Sequence, residues 1–198
     1  MVPPGNAFPS TSPSVTDAEI EQHLTLAVTA HGNRPDLAQK EASLRWLAEH
    51  ADRAYPLVIA RAKATPTPGL VEVVGRLARP EATLWLGELL RAAGPARGAA
   101  GTALGRSPDP RARDVLVAAL AVPEADVVIA ALDGLRIRGD RSVCANLASL
   151  VTHADAEVRY VWVRAGVELG CLGAAALHAL ATSDPDPDVR KLAAELTP

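Results

Sequence analysis

The chain has 198 residues and is 48% hydrophobic but only 3% aromatic, with alanine alone supplying about a fifth of it. Alanine has the best intrinsic helix propensity, whereas sheets draw on β-branched and aromatic residues, so this composition argues against a β-sandwich or barrel. Twenty basic side chains against twenty-three acidic ones give a net charge of −3, which leaves no whole-molecule field to attract nucleic acid or an anionic membrane.

At the N-terminus, Met1 to Ser14 (MVPPGNAFPSTSPS) has no periodic apolar face, and residues 1–15 are expected to form a disordered Pro- and Ser-rich tail ahead of one domain over 16–198. Neither a basic stretch followed by an apolar run nor an uncharged apolar window of 18 residues occurs, so a cytoplasmic location without membrane spans is expected. From there on, apolar residues recur at helical spacing with short polar or Pro-containing breaks. They divide into six helical hairpins: 17–31 with 35–50, 53–65 with 67–78, 80–92 with 95–106, 110–121 with 124–138, 141–152 with 155–169, and 172–182 with 186–196. Cys144 and Cys171 lie inside apolar helical patterns without CxxC spacing and read as buried free thiols.

The hairpins repeat with a period of 31. Asp155-Ala-Glu-Val158-Arg159 returns as Asp186-Pro-Asp-Val189-Arg190, and stepping back reaches Glu124-Ala-Asp-Val127-Val128 and Ala93-Gly-Pro-Ala96-Arg97. Gly139 and Gly170 keep the same step and close apolar runs, where a helix commonly needs a residue at positive φ. Each hairpin alone exposes an apolar stripe, and stacking would bury all the stripes together, so the expected fold is an all-α, α-solenoid of six antiparallel hairpins.

The segment Asp184-Pro185-Asp186-Pro187-Asp188-Val189-Arg190 and its weaker copy Asp155 to Arg159 resemble the HEAT repeat of the phycobilisome-lyase type, clearly over 80–198 and by pattern alone before that. The resemblance implies a HEAT-like superhelix. It also implies that Asp155, Arg159, Asp186 and Arg190 form a hydrogen-bonded ladder between repeats, interrupted at Val128. Its functions range over scaffolds, adaptors, inhibitors, chromophore-lyase subunits and a DNA-glycosylase branch, so it leaves the activity open.

Function must therefore be sought on the second helices, which line the concave face in such arrays. If Val158, Val161, Trp162, Ala165 and Leu169 face the core, then Tyr160, Arg164 and Glu168 face away from it. One period back lie Ile129, Asp133 and Ile137; one period forward lie Lys191 and Glu195; Gly98, Thr102 and Arg106 belong to the repeat before. Arg164 is expected to bridge Asp133 and Glu195. Ile129 and Tyr160 would leave apolar area in the groove, rimmed by charge, as at protein-binding surfaces. Trp46, Trp85 and Trp162 are expected in the core. The five histidines have no metal-ligand spacing, and Gly98, Gly101 and Gly105 lack the strand and Lys of a phosphate loop, reading instead as close helix packing.

The sequence thus leads us to expect a monomeric, non-catalytic module without cofactor or metal. It would bind another protein through Ile129, Asp133, Ile137, Tyr160, Arg164, Glu168 and Lys191. The alternative is a subunit of an enzyme system, bilin-lyase-like or related to the glycosylase branch.

Overall fold

The protein was analysed as a computed structural model, which describes residues 15–29 and 34–197. These residues form twelve α-helices and three short 3-10 turns. The proposed tail falls outside the described residues, apart from Val15.

The helices are α1 (Asp17–Thr29), α2 (Arg34–Glu49), α3 (Ala51–Ala64), α4 (Pro68–Leu77), α5 (Thr83–Arg91) and α6 (Arg97–Arg106). They continue with α7 (Arg111–Ala119), α8 (Ala125–Arg138), α9 (Cys144–Leu147), α10 (Ala156–Glu168), α11 (Ala174–Ser183) and α12 (Pro187–Glu195).

Local chemistry sets most boundaries. The Thr16 hydroxyl accepts from the Glu19 N–H while the Glu19 carboxylate accepts from the Thr16 N–H, a reciprocal cap at the start of α1. Thr67 caps α4, with Pro68 at its first position. The Asp155 carboxylate accepts from the N–H groups of Glu157 and Val158, and Asp186 does the same for Asp188 and Val189. Gly139 and Gly170 follow α8 and α10 with φ of 69° and 70°. Ala78 holds the same left-handed conformation after α4, with φ of 52°, despite its Cβ.

Packing follows a regular scheme from α3 onward. Consecutive helices pair as α3 with α4, α5 with α6, α7 with α8 and α11 with α12; α10 pairs with α9 and the 3-10 turn behind it. The even-numbered helices also pack in sequence, α4 on α6, α6 on α8, α8 on α10 and α10 on α12. One apolar core runs from Ile20 to Ala193. Helix α8 lies between α6 and α10 and also packs on α7, and it accordingly buries Val127, Val128, Ala130, Ala131, Leu132, Gly134 and Leu135 around most of its circumference. The N-terminal end departs from the scheme, because α1 packs on α2, α3 and α4 together.

Two of the three glycines of α6 serve its crossing with α8, whereas Gly98, also expected there, has open space around it. A methyl group on Gly101 would run into the carbonyl of Ala130, and one on Gly105 into the carbonyl of Gly134.

Two expectations about the core require correction. Cys144 and Cys171 are not free thiols; they form a disulfide with Cα atoms 5.2 Å apart. They stand at the start of the first helix and just past the end of the second in one antiparallel hairpin, so closing the hairpin brings them together although no local CxxC motif announces it. Trp162 is buried, but Trp46 and Trp85 are only half-buried. Both pack against the core, and Trp46 also stacks on His23, with ring centroids 4.1 Å apart, and meets His50 in a tilted contact at 4.3 Å.

Candidate functional site

The residues singled out in the sequence come from consecutive second helices. Tyr160 of α10 is half-buried against the core and forms part of a cleft of about 400 Å³ between α10 and α12, with Glu157, Asp188, Lys191, Leu192 and Glu195. Ile129 of α8 is likewise half-buried and lines a cleft of about 260 Å³ between α6 and α8. Glu157 borders both clefts, so they adjoin across α10. A third cleft of about 430 Å³ lies among α2, α4 and α6, with Lys40, Glu72, Thr102 and Arg106 on its walls. Periodicity points to Thr102 and Arg106 but gives no sign of Lys40 and Glu72, because the N-terminal hairpins depart from the period.

The expected ion-pair row takes a different form. Arg164 is exposed and makes no ion pair among the described residues. The bridge is made by Arg136, whose guanidinium reaches Asp133 at 3.4 Å and Glu168 of α10 at 3.0 Å. The ion pairs between these second helices join side chains that are not one full period apart. Arg136 and Glu168 are 32 apart in sequence, and Arg97 and Asp126, 3.0 Å from each other, are 29 apart. Glu195 approaches Lys191 of its own helix at 4.0 Å. Ile137 is half-buried and borders none of the three clefts.

The Asp and Arg of the repeated motif have distinct tasks. Asp155 and Asp186 cap their own helices. Arg159 is buried, and its guanidinium donates to both carboxylate oxygens of Asp184 at 2.9 Å and to the backbone carbonyls of His153 and Ala154. This pair joins the fifth hairpin to the sixth. The Arg159 guanidinium holds the Asp184 carboxyl below the usual carboxylate range against the opposing effect of burial. Arg190 makes the corresponding bonds to the carbonyls of Asp184 and Pro185. Among the described residues, Arg159 alone of the four expected ladder residues bonds to a neighbouring hairpin, and Val128, one period before it, is fully buried.

A second pair of acids escaped the sequence reading. Asp109 and Asp140 are 31 residues apart and precede first helices. Each accepts from the N–H two residues ahead, Arg111 at 3.0 Å and Ser142 at 2.9 Å, and from a guanidinium, Arg111 in one case and Arg113 in the other. The signal was available: the same step that aligned Asp155 with Asp186 aligns these two. Arg138 adds a cross-link between hairpins by donating to the carbonyl of Ser107 at 2.9 Å.

Among the described residues, no group of three or more His, Cys, Asp or Glu side chains is arranged to hold a metal, and no helix is long and apolar enough to cross a membrane. Compared with known proteins, the chain matches no family model and no curated protein.

Proposed function

We propose that the chain is a HEAT-like α-solenoid that acts as a monomeric, non-catalytic protein-binding module, an adaptor, regulator or inhibitor, and that its partner docks along the row of second helices. The 31-residue period together with the sequential packing of α4, α6, α8, α10 and α12 supports the solenoid reading. The observation that carries the binding reading is the pair of adjoining clefts in which Ile129 and Tyr160 are half-buried beneath a charged rim. An apolar centre of this kind, with an aromatic ring available for burial, is where interfaces concentrate their energy.

The carboxylates around these clefts disfavour a nucleic-acid ligand, whose phosphates would meet like charge. The disulfide bears on compartment: such bonds persist where the surroundings are oxidising, which favours an oxidising location over the cytoplasm expected from the sequence.

Selection of displayed peptides against the purified protein tests the docking surface. Tyr160→Glu and Ile129→Glu should abolish binding of the selected peptides, while Leu84→Glu, at an exposed position on α5, should leave it intact. Binders that tolerate both groove substitutions and fail with Leu84→Glu would move the docking surface elsewhere.

A further inference from the structure

The cleft between α10 and α12 is predominantly acidic. Four carboxylates, Glu157, Asp186, Asp188 and Glu195, stand against the single ammonium of Lys191. Asp186 is engaged with the backbone N–H groups of its own helix, and Glu195 approaches Lys191. Glu157 and Asp188 are exposed and in no ion pair among the described residues, in contrast to Asp126, Asp140, Glu168 and Asp184, each of which faces an arginine. The half-buried ring of Tyr160, one turn along α10 from Glu157, and the side chain of Leu192 line the same cleft.

Charge also varies along the row of second helices. The cleft at the α4 and α6 end includes Arg106, in no ion pair among the described residues, and Lys40, whose ammonium is 2.7 Å from Glu72. On α10 the cleft acid is Glu157 alone, and exposed Arg164 follows one turn beyond Tyr160. A ligand of uniform negative charge would be repelled at the α12 end, whereas one with a cation there finds unpaired carboxylates beside an aromatic ring.

We propose that the occupant of this groove is an extended basic peptide segment of a partner protein, with an arginine side chain seated over Tyr160 and paired to Glu157 and Asp188. Guanidinium suits the site better than ammonium, because its plane stacks on an aromatic ring while its edge donates in parallel to carboxylates. The cleft volume of about 400 Å³ lies within the range of sites that enclose a ligand group. The inference rests on the groove-binding reading and adds the chemistry of what binds.

The test uses the full chain and three short fluorescein-labelled peptides built from Ser-Gly-Arg, Ser-Gly-Lys and Ser-Gly-Gln repeats, with dissociation constants read by fluorescence anisotropy at low and at physiological salt. The Arg peptide should bind most tightly. Glu157→Gln with Asp188→Asn, and separately Tyr160→Ala, should each weaken it by about tenfold. Unchanged circular dichroism and thermal midpoints would establish that the variants are folded. Equal binding of the Gln peptide overturns the basic-segment proposal and leaves the groove reading standing. Binding that loses its Arg preference at physiological salt and is insensitive to Tyr160→Ala also overturns it, by reducing the effect to non-specific attraction. If no peptide binds, the proposal fails, and the display selection decides separately whether the groove reading fails with it.

Discussion

At Gly101 the space a side chain would fill is taken by the backbone of α8, so the smallest addition, one methyl group, must push two helices apart. Overpacking of this kind costs about 3 kcal/mol. Gly98, one turn earlier in α6, has open space around it, and replacing it there should stabilise by about 0.5 kcal/mol through helix propensity. Urea unfolding of Gly101→Ala and Gly98→Ala should therefore move the midpoint in opposite directions; shifts of the same sign would show that the crossing has slack. Asp109 offers a second test at this scale. Hydrogen bonds from the Arg111 guanidinium outweigh desolvation and bring its carboxyl down to about 2 from the ordinary 3.8. A depressed folded-state value stabilises the protein above the unfolded value and loses that contribution as pH falls through the folded one, here between about pH 4 and pH 2. Asp109→Asn should lower stability at pH 7 and flatten the acid limb in that window, as read from urea midpoints across the pH series. An acid limb as steep as that of the parent would remove Asp109 from the account.

Among the elements, the fifth hairpin is the least regular. Its first helix is one turn of α-helix, Cys144–Leu147, flanked by 3-10 turns at Arg141–Val143 and Ala148–Thr152. Such short turns have poorer hydrogen-bond geometry and contribute little order of their own. The disulfide ties this element to the turn after α10, the helix that positions Tyr160 and Glu157. Closing a loop across 27 positions should stabilise the fold by about 3 kcal/mol, chiefly by restricting the unfolded chain. Reductant, or Cys144→Ala with Cys171→Ala, should lower the thermal midpoint by comparable amounts. Two titratable thiols in the untreated protein, with a midpoint insensitive to reductant, would show that the bond does not form. The hairpin's existence was legible from period and polarity, but its broken first helix was not. Residues 141–152 keep an apolar pattern compatible with a continuous helix, and that pattern carries no signal for the 3-10 turns that flank Cys144–Leu147.

Over the whole molecule, the helical class and nearly every helix followed from alanine content, helical spacing and the 31-residue step, because each hairpin solves the same burial problem with the same chemistry. The surface was less legible. Periodicity found Tyr160, Ile129 and Lys191 on one side, yet it assigned the bridging role to Arg164 instead of Arg136, since a period identifies equivalent residues while contact depends on the offset between neighbouring helices. The cysteine pair was missed for a related reason: local spacing carries no information about hairpin ends meeting. That closure has a mechanical consequence. A chain pulled from its two ends can release the hidden length of an open hairpin in full, but the segment between Cys144 and Cys171 is a covalent ring. At about 3.4 Å per extended residue, roughly 90 Å of contour stays out of reach while the bond is intact. The fifth unit would then act as a fixed link in an otherwise extensible array, and the redox state of its surroundings would set how far the molecule can be drawn out.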